Sequence, residues 1–378
     1  MAEPKKIVCV VGARPNLMKV APILRAFEGR QDILHGLLVH TGQHYDYAMN
    51  HRFFEDLELP WPAVNLGVGS SSHVVQIANV MLRFQPVMEA EKPEAILVVG
   101  DVNSTLACSL VANRMGVPVI HVEAGLRSFD RTMPEEINRI LTDQLSDLLF
   151  TTEATAEANL LREGIASDRI RFVGNVMIDS LQTHLQNAIP MAETMAADER
   201  FLTAKEDGYG LVTLHRPSNV DDPEVLRNLA GALRKVAERL PLVFPMHPRT
   251  RVRLGEDGIA ELTQNARIFV IEPLGYLEML GAMRDARLVL TDSGGVQEET
   301  TALGVPCLTL RKNTERPITV TQGTNHLVGI DPEAIQSMAN HILDKGKTTG
   351  AIPDLWDGRA AERIAKEIEI WLARRSDG

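Results

Sequence analysis

The chain has no long uninterrupted apolar run. Although 44% of its 378 residues are hydrophobic, no stretch approaches the roughly 18 apolar residues that a membrane-spanning helix needs. The first residues, MAEPKKIVCVVGA, enter a strand-like run at once and lack a small-residue cleavage site, so no signal peptide is predicted. We therefore expect a cytoplasmic protein that does not bind a membrane.

Cysteine and positive charge are also scarce. Cys9, Cys108 and Cys307 lie far apart in apolar segments, so we expect reduced core residues, with no disulfide framework and no zinc-binding spacing. The formal net charge is −11, which argues against nonspecific binding of nucleic acid through a large basic face. An anionic ligand would have to be held by a few local arginines and lysines.

What the sequence does contain is a regular alternation of strand and helix. In the first half, Ile7–Val11, Leu34–His40 and AILVVG are strand-like and are separated by helical patterns. The second half repeats this rhythm with YGLVTLHRP, PLVFPMHP and RLVLTDSGG. The alternation predicts an α/β fold with two doubly wound parallel sheets, and the length supports two domains.

The rhythm also suggests where the domains begin and end. We assign residues 1–180 to the first domain and residues 209–355 to the second. Small and charged residues interrupt the alternation over 181–208, which we take as the connection. Residues 356–378 form an amphipathic helical pattern with apolar Ile364, Ile368 and Trp371, and we expect this helix to pack back across the domains.

Three carboxylates in the stretch Val98–Arg139 form the main candidate site. Asp101 comes just after the run AILVVG, Glu123 just after VPVIH, and Glu135 opens a helical pattern behind Pro134. Residues just beyond the carboxyl ends of parallel strands line the ligand crevice of an open sheet. A single acid there is more often a helix cap, whereas three on one face favour catalytic chemistry.

The first strand leads through a glycine turn into a helix. Gly12 and Pro15 mark this turn, and Arg14 and Lys19 flank it. This layout is typical of an anion site, because free backbone N–H groups and the helix dipole point at the turn. The alternative is an ordinary turn with a surface arginine, since the segment is neither a G-x-G-x-x-G motif nor a P-loop.

The second strand ends in a loop that carries Gln43 and His44. His40 and His44 have the i, i+4 spacing of a helical metal site. Gly42 and the strand pattern argue against a helix here, so we predict no metal site.

The segment LTDSGGVQEE is the most informative part of the second half. Ser293–Gly295 leave a strand and open a helix, where bare backbone N–H groups can take a diphosphate. Glu298 and Glu299 follow on the first turns, where a carboxylate can accept hydrogen bonds from ribose hydroxyls. Arg316 lies in a proline-terminated loop, and His215 follows the first strand of this half.

Together these motifs resemble the non-hydrolysing UDP-N-acetylglucosamine 2-epimerases. The matching blocks, in chain order, are GARPNLMKVAP, TGQHYD, VVGDVNSTLA, HVEAGLRSFDRTMPEEINR, GNVMID, LHRPSNVD, LTDSGGVQEE and TERP. The resemblance implies the glycosyltransferase-B architecture, in which two Rossmann-like domains face a cleft and the second binds UDP. It also implies a homodimer that interconverts UDP-GlcNAc and UDP-ManNAc.

The resemblance can be carried over residue by residue. The implied catalytic residues are Asp101, Glu123, Glu135 and His215. The implied substrate-binding residues are Arg14, Lys19, Gln43, Arg139, Ser293, Gly294, Gly295, Glu299 and Arg316. No metal and no redox cofactor is implied, and the expected partners are a UDP-sugar and a second copy of the chain.

Two departures from the family pattern are visible. Met279 stands where many members carry an aromatic residue near the uracil. In the loop that helps to bind a second, activating substrate molecule, Gln43 and His44 match the family, whereas Gly42, Tyr45 and Asp46 do not. Activation by a second substrate molecule is therefore left open.

The chemistry explains why several acids would be needed. The C2 hydrogen of a 2-acetamido sugar is not acidic, and the chain lacks a convincing dinucleotide fingerprint for transient oxidation. The other route is elimination of UDP to a glycal followed by re-addition, which requires acid–base groups on both faces of the ring and donors for the departing diphosphate. A 2-epimerase of a modified UDP-2-acetamido sugar and a UDP-sugar-dependent glycosyltransferase remain alternatives.

Overall fold

The computed structural model of the protein describes residues 3–42, 54–264, 267–346 and 350–376. Gln43 and its neighbours in the predicted loop lie outside these ranges. The chain divides into two compact units, Met1–Thr183 with Asp354–Gly378 and His184–Pro353. No helix among the described residues is both long enough and apolar enough to cross a bilayer.

The first unit is built on a parallel sheet. Its described strands are β1 (Lys5–Val11), β2 (Leu34–His40), β3 (Val64–Asn65), β4 (Ala95–Val99), β5 (Val119–Val122), β6 (Leu148–Thr151) and β7 (Ile170–Phe172). They lie in the order β3-β2-β1-β4-β5-β6-β7. All five residues of β4 are buried, because helices cover both faces of such a sheet and leave no strand face to water.

Helices connect these strands. They are α1 (Arg14–Glu28), α2 (His73–Glu91), α3 (Asn103–Arg114), α4 (Pro134–Leu145), α5 (Ala154–Arg162) and α6 (Val176–His184). Pro134 is the first residue of α4, where proline's fixed φ suits a helix start and its missing N–H costs nothing. The strand order reverses between β1 and β4, so their carboxyl ends flank the crevice where ligands bind in this type of sheet.

The second unit repeats this plan. Its described strands are β8 (Gly210–Thr213), β9 (Leu242–Pro245), β10 (Ile268–Ile271), β11 (Leu288–Thr291), β12 (Cys307–Thr309) and β13 (Asn325–Leu327). They are parallel in the order β10-β9-β8-β11-β12-β13, with the reversal between β8 and β11. The prediction of two Rossmann-like parallel-sheet units is therefore confirmed.

The helices of the second unit include short ones before its first strand. They are α7 (Met191–Thr194), α8 (Glu199–Ala204), α9 (Pro217–Val220), α10 (Pro223–Ala237), α11 (Pro248–Thr263), α12 (Tyr276–Arg284), α13 (Gly294–Leu303), α14 (Pro317–Thr321) and α15 (Pro332–Lys345). Residues 184–208, most of the predicted connection, pack against this unit. The amide of Ile189 donates to the carbonyl of Leu277 at 3.0 Å, and the ring of Phe201 lies 5.4 Å from that of Phe269.

The chain ends in α16 (Ala360–Ser376), which belongs to the first unit. Ile364 and Ile368 are fully buried, as the helical spacing predicted. The Asp179 carboxylate accepts hydrogen bonds from the first two amides of α16, those of Ala360 at 3.1 Å and Ala361 at 2.7 Å. Just before the helix, the buried Trp356 indole N–H donates to the carbonyl of Thr152 at 3.0 Å. These contacts fix the return of the chain to the first unit.

Candidate functional site

Two carboxylates of the first unit lie at neighbouring strand ends. Asp101 follows β4 after one glycine, and Glu123 follows β5 directly. The two strands pair in parallel, with Val99 opposite Val122. The sequence prediction that both acids lie beyond the carboxyl ends of adjacent strands is therefore confirmed.

Glu123 is bound by Lys19, which reaches it from α1. The ammonium Nζ forms an ion pair with Glu123 Oε2, and both side chains are buried. Such a pair is stable in the interior only because each charge offsets the other's loss of hydration. Glycine is favoured at position 100, since its φ is +66° and a Cβ on it would lie 3.2 Å from Lys19 Nζ.

Asp101 has its own cation. Arg139 of α4 donates through Nε to Asp101 Oδ2 at 3.0 Å, and Asn138 donates to the carbonyl of Asp101 at 2.9 Å. The other end of the Arg139 guanidinium binds Glu136. About a quarter of the Asp101 side chain stays exposed, so this carboxylate can reach a ligand.

The two glutamates at the start of α4 have different surroundings. Glu136 is buried and accepts hydrogen bonds from the amides of Ser128 at 3.0 Å and Phe129 at 2.9 Å. Glu135, the predicted catalytic acid, is only partly buried, and within the described part of the chain its carboxylate forms no ion pair. Glu136 therefore holds the preceding loop, while Glu135 keeps its carboxylate available.

The turn between β1 and α1 differs from the prediction. The amides of Gly12 and Ala13 both donate to Asn16 Oδ1, at 3.1 and 3.0 Å, and Asn16 Nδ2 donates to the carbonyl of Val99 at 3.1 Å. The expectation that these amides are free for an anion is wrong, because the asparagine side chain satisfies them. Arg14 begins α1 and is partly exposed.

In the second unit, His215 is held by a buried aspartate. Asp292 follows β11, and its Oδ1 lies 3.0 Å from His215 Nδ1. Burial alone would raise the pKa of Asp292, but the His215 hydrogen bond and charge, with the amides of His215 and Arg216, hold it below its usual value. An ionised Asp292 keeps the Nδ1 proton on His215, so Nε2 faces away from the pair. The His215 side chain is 40% exposed.

Ser293, the residue after Asp292, occupies the N-cap position of α13. Its amide donates to Thr291 Oγ1 at 2.9 Å. Gly294 and Gly295 then form the first turn of α13, whose amide N–H groups have no partner within the helix. A Cβ on Gly294 would lie 2.7 Å from Glu315 Oε1. The prediction that Ser293–Gly295 leave a strand and open a helix is confirmed, whereas the charged cluster close to this turn was not predicted.

That cluster is organised by Glu315. Its carboxylate accepts from Arg216 at 3.1 Å and from Arg311 at 2.8 Å. Burial works against ionisation, yet Arg316, Arg311 and Arg216 hold the pKa of Glu315 well below its usual range. Arg316, predicted to hold UDP, is itself buried and pairs with Glu298 at 2.7 Å.

Glu299 is a buried carboxylate with an unused oxygen. Among the described residues its Oε1 has no hydrogen-bond partner. Burial, with a smaller contribution from the charge of Glu298, raises the pKa of Glu299 to about 8. A buried acceptor of this kind is costly unless a ligand supplies a donor, so Glu299 fits its predicted role.

Several residues that shape these sites were not among the predicted ones. Asp292 could have been found, because it follows a strand as Asp101 does. Asn16 and Glu136 could not, because nothing in the local pattern distinguishes the partner that each side chain reaches.

Comparison with known proteins agrees with these observations. A family model described as UDP-N-acetylglucosamine 2-epimerase matches residues 26–369. A UDP-N-acetylglucosamine 2-epimerase of Methanocaldococcus jannaschii is 44% identical over 96% of this chain and 98% of its own. A UDP-2,3-diacetamido-2,3-dideoxy-D-glucuronate 2-epimerase of Pseudomonas aeruginosa is 41% identical over 96% of this chain and 99% of its own.

The fold is similar as well. A crystal structure of the Methanocaldococcus jannaschii UDP-GlcNAc 2-epimerase in complex with UDP-GlcNAc and UDP aligns with a TM-score of 0.87 at 43% identity, covering 97% of this chain and 99% of that one. Because the match in sequence and in fold extends over nearly the whole length, the chain belongs to the UDP-N-acetylglucosamine 2-epimerase family.

Proposed function

We propose that the chain interconverts UDP-GlcNAc and UDP-ManNAc by inverting C2 of the sugar. One observation carries the proposal: Asp101 and Glu123 lie at neighbouring strand ends, and each is bound to its own cation. Such pairs keep two carboxylates close together without strong mutual repulsion. The 44% identical relative named as a UDP-GlcNAc 2-epimerase supports the same activity.

The reaction follows from the chemistry of the substrate. A base removes the C2 proton while the C1–O bond to UDP breaks, which gives a 2-acetamidoglycal and free UDP in the site. A phosphate oxygen of UDP then re-forms the bond to C1 as an acid protonates C2 on the opposite face. Asp101, Glu123 and Glu135 supply the acid and base groups.

The second unit supplies groups for the departing UDP. His215 has its Nδ1 side bound by Asp292, which leaves Nε2 to donate to a phosphate oxygen when the ring is protonated. The first amides of α13, after Ser293, provide further donors for negative charge. Donors fixed before the reaction stabilise the charge that develops on the diphosphate.

A modified sugar is the second candidate substrate. The relative named UDP-2,3-diacetamido-2,3-dideoxy-D-glucuronate 2-epimerase is 41% identical to this chain, close to the 44% of the UDP-GlcNAc enzyme. Both relatives are named as 2-epimerases, so the reaction at C2 would be the same. The two sugars differ only in their groups at C3 and C6.

We also propose a homodimer assembled through α2. Val74 and Leu82 are 78% and 71% exposed and, with Ala78, form an apolar stripe at i, i+4 spacing along this helix. An exposed apolar stripe of this kind is typical of a protein–protein contact. In a two-fold dimer the same stripe on each copy would pack against its counterpart.

Incubation with UDP-GlcNAc in heavy water, with no acceptor, tests the activity. An epimerase must incorporate deuterium at C2 of both UDP-sugars, because the removed proton exchanges before reprotonation. NMR would detect the loss of the C2 proton signal and the appearance of UDP-ManNAc. A glycosyltransferase would leave the hydrogen at C2 unexchanged. A parallel incubation with UDP-2,3-diacetamido-2,3-dideoxy-D-glucuronate shows which of the two UDP-sugars the protein epimerises.

Asp101→Asn and Glu123→Gln should each lower kcat by at least about a hundredfold, the usual scale for lost acid–base catalysis. The matched control is Glu94→Gln, which changes an exposed acid just before β4 and should leave kcat unchanged. Turnover close to wild type in both site variants would remove these acids from the mechanism.

UDP binding should strengthen as the pH rises through the pKa of Glu299. The carboxyl is neutral below about 8 and ionised above it, and only the ionised form can accept from both ribose hydroxyls. Affinity for UDP should therefore rise about tenfold between pH 7 and pH 9, with release of a proton on binding. Calorimetry in two buffers of different ionisation enthalpy measures that proton, and an identical pH dependence in Glu299→Gln would contradict the assignment.

Charge placed on the α2 stripe should separate the dimer. We expect Val74→Glu combined with Leu82→Glu to give a monomer in light scattering coupled to size exclusion, because two buried carboxylates per copy would oppose association. Val252→Glu is the control, since Val252 of the second unit is equally exposed at 78%. A doubly substituted protein that still runs as a dimer would exclude this face.

A further inference from the structure

A buried histidine lies close to the strand-end acids. His121 is in β5, two residues before Glu123, and is 1% exposed. Its Nε2 lies 2.9 Å from the carbonyl oxygen of Gly100, and its Nδ1 lies 2.7 Å from Asp143 Oδ1. A carbonyl oxygen can only accept, so His121 donates to it through Nε2. A neutral imidazole then has no second N–H for Asp143, whereas an imidazolium donates to both.

Asp143 is held in its ionised form and does not supply the missing proton. Its second oxygen accepts from Arg127 Nη2 at 2.7 Å and from the amide of Gly125 at 3.1 Å. Burial favours the neutral acid, but the hydrogen bonds and charges of His121 and Arg127 hold the pKa of Asp143 below its usual value.

Charge balance agrees with this protonation state. Arg127 also binds Glu163 through two contacts of 2.8 and 2.6 Å. With His121 protonated, the cluster contains two cations and two anions and carries no net charge. With His121 neutral, Asp143 and the partly exposed Glu163 would share the single positive charge of Arg127, which is costly because Asp143 is fully buried.

We propose that the His121 imidazolium, paired with Asp143, positions the two strand-end acids. The pair touches the turn after β4 through the carbonyl of Gly100 and the turn after β5 through the amide of Gly125. It is a positioning pair, because both side chains are buried and act on the acids only through these backbone groups. The proposal rests on the proposed function, which makes those acids catalytic.

Both turns need such support. Glu123 has a φ of +73°, a left-handed conformation that a residue with a side chain keeps only where its surroundings impose it. Gly100 precedes Asp101, and its amide donates to the carbonyl of Val122 at 3.1 Å while its carbonyl accepts from His121. Fixing the two peptide groups on either side of the Gly100 Cα sets the direction in which Asp101 leaves the strand. The Lys19–Glu123 and Arg139–Asp101 ion pairs also lie at these turns.

Nitrogen NMR of histidine-labelled protein tests the protonation state directly. We expect both ring nitrogens of His121, assigned by the loss of their signals in His121→Asn, to carry protons at neutral pH. A ring that carries a proton on only one nitrogen would overturn the proposal. This measurement uses the wild-type chain and does not depend on catalysis, so it separates this inference from the proposed function.

Kinetics test the positioning role. His121→Asn and Asp143→Asn should each lower kcat at least about tenfold, because small displacements of reacting groups are costly, while the affinity for UDP stays within about twofold. His35→Asn, at an exposed histidine of β2, is the matched control. Unchanged kcat in the site variants, or a parallel loss of kcat and UDP affinity, would contradict a role in positioning the acids.

Discussion

A buried carboxylate stays ionised only beside a cation or several hydrogen-bond donors, and this constraint governs the first unit. Lys19 binds Glu123, and Arg139 binds Asp101 while its other end holds Glu136. Because Asp101 and Glu123 pair with different cations, the two acids can lie at neighbouring strand ends. The sheet brings the acids together, and helices α1 and α4 deliver the cations.

In the second unit, two buried acids instead orient basic groups. Asp292 fixes the His215 ring, and Glu315 binds Arg216 and Arg311 near the start of α13. One sheet architecture thus presents carboxylates from its strand ends in the first unit and a histidine with backbone amides in the second. The difference lies in side chains rather than in topology.

The fold and the strand-end acids could be predicted from sequence because both follow from local periodicity. A buried apolar run identifies a strand, and the next polar residue lies at its carboxyl end, which located Asp101 and Glu123. The hydrogen-bond partner of a side chain depends on the tertiary structure. The sequence therefore did not reveal that Asn16 would accept hydrogen bonds from the amides of the turn after β1. For the same reason Arg316 could be placed in its loop, whereas its burial against Glu298 could not be foreseen.

The return of α16 to the first unit has a consequence for biosynthesis. The second unit is contiguous, His184–Pro353, whereas the first is assembled from Met1–Thr183 and Asp354–Gly378. During synthesis, the second unit can therefore complete its core before the first unit, because Trp356 and α16 of the first unit are translated last. Until those residues emerge, the Asp179 carboxylate lacks the amides of Ala360 and Ala361, and the apolar side chains that bury Ile364 in the folded chain stay exposed.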